Sequence, residues 1–203
     1  MKNILILLIL CLYSAPLFGN TASTSDSDTN DKKVSIDVWT AYSPQSSSFF
    51  AKMQNTRLSM LGIGIRHSNF EISDQSLLIT SEITLFGRTS YPVNGVDGPK
   101  VQRSGIGLVP LRVTVPFTGR SEFNYPFFDT GFGFLLFEKQ FPNNKGTLLN
   151  VTIDASIGYN FRISDNSSLA IGYRFHHLSN AGTGNVNPGI DSNMFVFSLR
   201  SFM

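Results

Sequence analysis

The segment from Thr147 to Ile163 alternates between two kinds of residue. Its odd positions read Thr, Leu, Val, Ile, Ala, Ile, Tyr, Phe and Ile, whereas its even positions read Leu, Asn, Thr, Asp, Ser, Gly, Asn and Arg. Because successive side chains of a strand point to opposite faces, this period of two predicts one long strand with an apolar and a polar face. Strands of soluble proteins usually have about 3–10 residues. The length of this segment therefore indicates a strand that crosses a membrane.

Seven further segments show a similar alternation and are separated by turn residues. They lie at residues 34–43, 57–67, 76–87, 105–117, 127–138, 168–179 and 191–202. Small bacterial membrane barrels contain an even number of antiparallel strands, of which eight is an allowed number. The sequence thus predicts an all-β fold, an eight-stranded antiparallel transmembrane β-barrel. A soluble lipocalin-like barrel is the alternative, but the chain offers no helical segments that would cover so much apolar strand surface.

The polar faces of these segments carry charges of both signs, which we expect to pair with one another and to fill the barrel interior. These residues are Arg66, Glu82, Arg112, Asp154, Arg162, Arg174, His176 and Arg200. Aromatic residues cluster near the strand ends, where membrane barrels carry girdles at both interfaces. The predicted girdle residues are Phe127, Phe128, Phe134, Phe137, Tyr159 and Phe161.

Residues 1–22 have the features of a signal peptide. Lys2 supplies a positive start, and Ile4–Leu12 supplies an apolar core. That core is far shorter than the roughly 20 residues that span a bilayer as a helix. Gly19 or Ala22 offers a small residue for cleavage. The sequence therefore predicts an exported protein.

The mature chain is expected to consist of a short lead-in and one domain. Residues 23–33 are rich in Ser, Thr, Asp and Asn and are predicted to be a disordered periplasmic lead-in to an outer-membrane barrel at 34–203. The only cysteine, Cys11, lies within the signal peptide, so no disulfide is expected after cleavage. Removing Lys2 lowers the formal net charge from +2 to +1, which gives no indication of a nucleic-acid partner.

His177 and Ser179 lie two residues apart on the apolar face at the end of the segment 168–179. In a membrane barrel this face points to lipid, where polar residues are unfavourable unless they have a function or lie at headgroup level. Residues two apart on a strand have Cα atoms roughly 6.5–7 Å apart, so the imidazole can reach the hydroxyl. Asp191, at the start of the next segment, has the outward parity that would let it orient the imidazole. We therefore predict a triad with Ser179 as nucleophile, His177 as base and Asp191 as acid.

Other polar residues near this triad are given supporting or structural roles. The side-chain amides of Asn180 and Asn187 are the nearest candidates to stabilise an oxyanion. His176 faces inward and is predicted to belong to the interior charge network. His67 and Ser68 are adjacent and thus on opposite faces of a regular strand, so they cannot form a histidine–serine pair like His177 and Ser179. A lone His-x-Ser pattern usually marks only a strand end, so the catalytic interpretation depends on the lipid-facing register.

The topology predicts the side of the membrane on which these residues lie. With both termini in the periplasm, the seventh segment ends outside the cell. Ser164–Asn166 is then a periplasmic turn, and Asn180–Ile190 is an extracellular loop. The candidate site is therefore expected to face the outer leaflet, which in a Gram-negative outer membrane consists of lipopolysaccharide.

Two stretches, Tyr173–Gly182 (YRFHHLSNAG) and Asn187–Ser192 (NPGIDS), resemble the lipid A 3-O-deacylase (PagL-type) family of outer-membrane enzymes. The stretches Lys145–Thr147 and Phe161–Asp165 add to the resemblance, which is sharp over the last third of the chain and only architectural before it. The resemblance implies an eight-stranded barrel that hydrolyses the ester at the 3 position of lipid A without a metal.

The same resemblance implies roles for individual residues. It assigns the base to His177, the nucleophile to Ser179 and the acid to Asp191, with oxyanion assistance at Asn180 or Asn187. The acid of well-known members is glutamate, which is one methylene longer than the aspartate found here.

We therefore expect an outer-membrane serine esterase that hydrolyses the 3-O-linked hydroxyacyl ester of lipid A. Lipopolysaccharide is the expected substrate and outer-membrane lipids the expected surroundings; no cofactor, metal or nucleic acid is expected, and a homodimer is left open. Two other functions also stay open from the sequence. One is a non-enzymatic small barrel used for structure or adhesion. The other is a soluble lipid-binding barrel.

Overall fold

The computed structural model describes residues 34–72, 75–93, 96–117 and 124–202. The predicted signal peptide and lead-in, at 1–22 and 23–33, lie outside the described residues. The strands are, in chain order, β1 (Ser35–Ser43), β2 (Ser46–Ser47), β3 (Arg57–Ile72), β4 (Gln75–Pro92), β5 (Lys100–Pro116), β6 (Tyr125–Phe141), β7 (Thr147–Ser164), β8 (Ser167–Ser179) and β9 (Ile190–Phe202). No helix in these ranges is long and apolar enough to cross a membrane.

The eight long strands form one closed antiparallel barrel. Each pairs with the next along the chain, and β1 pairs with both β3 and β9, which closes the sheet. The short strand β2 continues along β9, where Ser46 lies opposite Ser192 and Ser47 lies opposite Asp191. The predicted eight-stranded barrel is confirmed. In a closed barrel no strand edge is left unpaired within the membrane, where water cannot satisfy backbone groups.

The middle strands extend further than the alternating pattern predicted. The predicted segment 76–87 ended at residue 87, whereas β4 continues to Pro92 and pairs with an equally extended β5. Most of the added residues are polar; Ser90, for example, lies opposite Gln102, although Tyr91 and Val101 join an apolar interior cluster. So few apolar residues give no clear alternation, and the sequence pattern missed this part of the barrel wall.

The outer wall of the barrel is apolar along its length. In β1 buried and exposed residues alternate without a break, and the exposed side chains include Ile36 and Val38. On β7 the side chains of Ile153 and Ile157 are likewise apolar and exposed. Exposed apolar residues on every long strand form the surface that a lipid-embedded barrel requires.

The predicted aromatic girdle is correct on β7 and wrong in part on β6. Tyr159 and Phe161 are exposed on the outer wall of β7 and pack against each other. Phe127 and Phe137 instead point inward, because the odd residues of β6 from Tyr125 to Phe137 face the interior. Phe127 joins a small apolar cluster at one end of the barrel, and Phe137 joins another at the opposite end.

The barrel interior contains the predicted network of opposite charges. The Arg112 guanidinium contacts three carboxylates, with distances of 2.7 Å to Glu82, 2.6 Å to Asp129 and 2.7 Å to Asp154. His176 Nδ1 lies 2.5 Å from Asp154 Oδ1. Ion pairs of this kind offset the cost of burying charge only when the partners are close and hydrogen-bonded. The network therefore ties the walls of the barrel together.

Two details of this network differ from the sequence prediction. Arg162 lies at the barrel end, where it pairs with the exposed Asp165 at the turn before β8. Asp37 and Asp129 are buried partners that the prediction did not include; Asp37 binds the Arg200 guanidinium through both carboxylate oxygens. Both aspartates have the inward parity of their strands, so the alternation itself would have identified them.

Candidate active site

The candidate site begins with His177 and Asp191, which are directly opposite each other in the β8–β9 ladder. His177 Nδ1 lies 2.6 Å from Asp191 Oδ1. The His177 side chain is 20% exposed on the outer wall, whereas the Asp191 side chain is fully buried. A carboxylate only accepts hydrogen bonds, so the imidazole Nδ1 must carry the proton, and Nε2 of the neutral ring is left as a base.

Ser179 lies two residues beyond His177 on the same face of β8, at the last position of the strand. It is half-buried and faces Val151 of β7 across the ladder. The Ser179 Oγ accepts a long hydrogen bond, 3.5 Å, from the Ala181 backbone N–H. Within the described residues no hydrogen bond joins Ser179 to His177. The structure thus brings all three predicted triad residues to one point on the outer wall, with the His177–Asp191 half already hydrogen-bonded.

The second oxygen of Asp191 is held by a segment that sequence reasoning missed. After β2 the chain folds over the start of β9, and the backbone N–H groups of Phe50 and Ala51 donate to Asp191 Oδ2 at 2.5 and 2.7 Å. The carboxylate therefore accepts three hydrogen bonds, which stabilise its ionised form. No side-chain pattern marks backbone donors of this kind. The only sequence signal at this position is the Phe49-Phe50 pair itself, two apolar residues in a polar stretch.

Three phenylalanine rings lie beside His177. Phe49 and Phe50 are 74% and 69% exposed, and their rings meet edge to face with centroids 4.5 Å apart. Phe175, two residues before His177 on β8, lies 6.1 Å from Phe49 and 6.0 Å from Phe50. The Phe50 ring lies 6.0 Å from the His177 imidazole. We call these three side chains the aromatic wall.

The loop between β8 and β9 is organised by Asn180. Its side-chain amide donates to Val186 O, and its Oδ1 accepts from Gly182 N. Its backbone N–H donates to Asn187 Oδ1 at 3.0 Å. The hydrogen bond between the buried Asn180 and the exposed Asn187 places the two predicted oxyanion donors in one loop next to Ser179. Asn180 thereby holds the loop shape as well as lying near the nucleophile.

Two glycines of this loop have left-handed backbones, a conformation that glycine adopts readily: Gly182 at φ 78° and Gly189 at φ 64°. They differ in their surroundings. A Cβ atom on Gly182 would meet nothing within 4 Å, whereas one on Gly189 would lie 3.1 Å from Ala51 Cβ and 3.4 Å from His177 Cε1. Gly189 therefore allows the Ala51 segment and the His177 ring to approach each other closely.

His176 has the inward position that the sequence predicted. His176 points into the barrel interior and pairs with Asp154, on the opposite face of β8 from His177. His67 lies near the end of β3, which is the end of the barrel opposite to the β8–β9 loop. Within the described ranges, no three His, Cys, Asp or Glu side chains are grouped as a metal site requires.

The end of the barrel that carries the candidate site is rich in exposed cations. These residues are Lys52, Arg57, Arg88, Lys100, Lys139 and Lys145. Two of them flank the β8–β9 loop directly: the Lys52 N–H donates to Pro188 O at 2.6 Å, and Lys145 O accepts from Val186 N at 3.2 Å. Exposed acids at the same end are Asp97 and Glu138. The rim around the site therefore favours an anionic ligand surface.

The fold has counterparts of known structure. The crystal structure of the outer-membrane enzyme PagL is 19% identical, covers 80% of this chain and 97% of its own, and superposes with a TM-score of 0.59. Neisserial surface protein A is 13% identical, with coverage of 84% and 97% and a TM-score of 0.52. No curated protein sequence matches the chain.

The closed barrel and its apolar outer wall are those of a small β-barrel protein of the Gram-negative outer membrane, so the soluble lipid-binding barrel considered from the sequence is wrong. Residues 101–200 match the model of the family described as lipid A 3-O-deacylase (PagL). This match covers strands β5 to β9, which contain the candidate triad. The resemblance that its sequence predicted is confirmed.

Proposed function

We propose that this protein is a serine esterase of the outer membrane that hydrolyses the 3-O-linked hydroxyacyl ester of lipid A. The observation that carries the proposal is the hydrogen bond of 2.6 Å between His177 and Asp191 on the lipid-facing wall, with Ser179 beside it. A histidine, a buried carboxylate and a hydroxyl have no packing role on a surface that faces lipid, and their placement there carries a cost unless they have a function. The family match over the same strands supports the choice of ester and substrate.

The reaction would follow the two-step scheme of serine hydrolases. The Ser179 Oγ attacks the carbonyl carbon of the acyl ester while His177 Nε2 takes the hydroxyl proton. The tetrahedral intermediate collapses, the C–O bond to the sugar breaks, and His177 returns the proton to the departing sugar oxygen. A water molecule, deprotonated by His177, then attacks the acyl-enzyme. The products are a 3-hydroxy fatty acid, free Ser179 and a lipid A with one hydroxyl in place of an ester.

Asp191 would act through His177. Its carboxylate fixes the proton on Nδ1 and stabilises the positive charge that develops on the ring during each proton transfer. The amide donors of Phe50 and Ala51 keep this carboxylate in place, because they bind the oxygen that His177 does not use. The distance between Ser179 and His177 would shorten on substrate binding, since hydrogen bonds between catalytic groups often tighten only in the Michaelis complex.

The oxyanion would be stabilised by groups of the β8–β9 loop. The Ala181 N–H already points at the Ser179 Oγ, and the Asn180 side-chain amide has a second N–H beyond the one bound to Val186. Asn187 is the other predicted donor and is exposed next to this loop. Preorganised donors aimed at developing negative charge are usually a large part of the rate enhancement in acyl transfer.

Two features of the surroundings support lipopolysaccharide as the substrate. The site lies at the barrel end with exposed cations, and lipid A carries phosphate groups that such cations bind. The scissile ester of a membrane glycolipid lies between the sugar layer and the acyl layer. A site at the upper end of an apolar barrel wall, as on β8, would meet that ester directly.

The proposal is tested by mass spectrometry of lipid A from a Gram-negative host that expresses the parent or the Ser179→Ala variant. We expect the parent to lower the mass of lipid A by one hydroxyacyl group and the variant to leave it unchanged. Folding of both proteins is checked by the shift that folded barrels show on detergent gels without heating. Unchanged lipid A with a folded, membrane-inserted parent would instead support a non-enzymatic barrel.

A further inference from the structure

We propose that Met53 is a positioning residue of the candidate site. Its side chain anchors the loop 46–56 in the barrel, and this loop holds the carboxylate of Asp191 toward His177. The inference rests on the proposed esterase function and adds to it a residue outside the triad and outside the loop that supplies the oxyanion donors. Met53 lies between β2 and β3, so the alternating pattern of the strands gave it no role.

The side chain of Met53 packs against the apolar cluster that fills one end of the barrel interior. The cluster consists of Tyr91, Leu135, Phe137, Phe141, Leu178 and Ile190. Leu178 directly follows His177 in the chain, and Ile190 directly precedes Asp191. Because neighbouring side chains of a strand point to opposite faces, the cluster lies behind the wall that carries the candidate site. Met53 is therefore fixed on the inner side of that wall.

The backbone of Met53 is fixed as well, through the hydroxyl of Ser46. The Ser46 Oγ donates to Met53 O at 3.0 Å and accepts from the Thr56 N–H at 3.1 Å. Ser46 and Thr56 are both buried, and Ser46 lies opposite Ser192 of β9. One hydroxyl thus closes the loop 46–56 at its base. The loop enters the barrel end at a defined point, which the Met53 side chain occupies.

The donors that hold Asp191 directly precede Met53 in the chain. The N–H groups of Phe50 and Ala51 bind Asp191 Oδ2, and the N–H group of Lys52 binds Pro188 O. Consecutive Cα atoms are about 3.8 Å apart, so an anchor at Met53 limits how far these donors can move. A functional group keeps a precise geometry only when the residues that support it are themselves fixed by packing. Met53 supplies this packing for the donors of Asp191.

A second contact fixes the loop on the far side of Met53. Asn55 donates through Nδ2 to Val96 O at 3.1 Å and accepts at Oδ1 from Lys100 Nζ at 2.9 Å. Its backbone is left-handed, with φ 53°. Within the described residues, the other non-glycine residue of this kind is Ala181, in the loop that follows Ser179. Such a conformation persists only where the surrounding structure imposes it. The loop 46–56 therefore has one defined shape.

Three variants separate the anchor from the general packing of the cluster. Met53→Ala removes the side chain and keeps every backbone N–H group of the loop. Val101→Ala is the matched control, because Val101 packs against the same cluster but belongs to β5. Met53→Leu nearly conserves the volume and should behave as the parent. Each protein is purified in detergent and checked for folding by its shift on unheated gels, and Ser179→Ala serves as the blank.

The measurement is kcat and KM for a soluble p-nitrophenyl ester of a short acyl chain, as a function of pH. We expect Met53→Ala to lower kcat by up to about 10²-fold, the loss that a misplacement of about 1 Å can cause, and to leave KM unchanged. The acid limb of kcat/KM should move to lower pH, because a carboxylate that is held less closely stabilises the protonated imidazole less. Val101→Ala and Met53→Leu should keep the parental profile.

Three outcomes would overturn the inference. The first is a parental kcat and acid limb in Met53→Ala. The second is a lowered kcat with an unmoved acid limb, or an equal loss in Val101→Ala, because Met53 would then support only the fold. The third is a change confined to KM, which would assign the side chain to substrate binding. If Met53→Ala does not fold, the smaller truncation Met53→Val is measured against the same outcomes.

A second measurement does not depend on turnover. In the Ser179→Ala protein, the proton shared by His177 Nδ1 and Asp191 is followed by NMR and assigned by its loss in His177→Asn. Adding Met53→Ala should move this resonance upfield and speed its exchange with water, whereas adding Val101→Ala should not. An unchanged resonance overturns the inference. If the parent hydrolyses neither lipopolysaccharide nor synthetic esters, the proposed esterase fails, and this resonance still decides the role of Met53.

Discussion

Asp191 and Ala51 are joined by a hydrogen bond of 2.7 Å between the carboxylate Oδ2 and the backbone N–H, across 140 positions of sequence. The bond connects the first long loop of the barrel to its last strand, and it leaves Asp191 Oδ1 for His177. The acid of the candidate triad therefore uses both of its oxygens.

We expect Ser179→Ala and His177→Asn each to lose nearly all deacylation, because each removes a chemical step and no packing in the core. Activity is measured as 3-hydroxy fatty acid released from purified lipopolysaccharide in detergent. The matched control is His176→Asn, which alters the neighbouring histidine on the inward face and should keep most activity per folded molecule. Reversed sensitivities of His176 and His177 would contradict the outward assignment of His177 as the base.

Asp191→Asn should lower kcat by about 10⁴-fold, the scale seen when the acid of a serine triad becomes an amide. The single acceptor oxygen of asparagine would take the place of Oδ2, which accepts from the N–H groups of both Phe50 and Ala51. The NH₂ group would then face His177 Nδ1 and favour the tautomer whose Nε2 carries the proton, which cannot act as the base. An Asn variant with parental kcat would remove Asp191 from the mechanism.

Asp191→Glu keeps the charge but adds one methylene to a side chain that has no exposed surface. The longer carboxylate can satisfy both His177 and the backbone donors only if the Phe50 segment moves outward. We therefore expect a kcat between those of the parent and the Asn variant, measured on the same substrate. Loss of activity equal to that of the Asn variant would show that geometry, and not charge alone, determines the role of this residue.

Much of the barrel could be predicted from the sequence because lipid on one side and paired charges on the other enforce a period of two. The same register identified His177, Ser179 and Asp191 as neighbours, since a single loop joins β8 to β9. The contact from Phe50 and Ala51 could not be predicted in this way. It is made by backbone N–H groups, which every residue except proline carries, and it depends on how a loop folds in three dimensions. The inward position of Phe137 was missed for another reason: an aromatic residue near a strand end suits either the girdle or an interior cluster.

Gly189→Ala should lower kcat, and the loop offers a matched control. An added Cβ would lie 3.1 Å from Ala51 Cβ, 3.3 Å from Leu178 O and 3.4 Å from His177 Cε1, whereas the same substitution at Gly182 meets nothing within 4 Å. Both glycines have left-handed backbones, so both substitutions carry a similar conformational cost of about 1–2 kcal/mol. Deacylation assays of the two variants then separate crowding at the His177 ring from loop strain. Equal losses in both would indicate that strain alone is responsible.

Arg112→Leu should destabilise the barrel without touching the outer wall. It leaves Glu82, Asp129 and Asp154 buried with one shared cation removed, and breaking a buried pair in this way costs about 3–5 kcal/mol. The free energy of unfolding is measured by urea titration in micelles. Arg162→Leu is the control, because its pair with Asp165 is exposed and such pairs are worth about 0–1 kcal/mol. Similar stability of the two variants would contradict the structural role of the interior network.

The double variant Lys52→Gln/Lys145→Gln should raise KM for phosphorylated lipid A, because these two cations flank the β8–β9 loop. KM for a neutral synthetic ester should not change, since that ester carries no phosphate. The difference between parent and variant should shrink as salt is added, because exposed charges are screened. Lys139→Gln, another exposed cation of the same rim, serves as the control. An equal rise in KM on the neutral ester would assign the two lysines to loop structure.

The ion pairs that cross the barrel interior have a consequence for the cell as well as for the fold. A barrel whose centre is occupied by Arg112 and its three carboxylates offers no wide route for nutrients, antibiotics or ions. Every candidate reactive group instead lies on the outside of the cylinder, where a channel protein would have only lipid contacts. A bacterium can therefore hold many copies of such a protein in its outer membrane without making that membrane leaky.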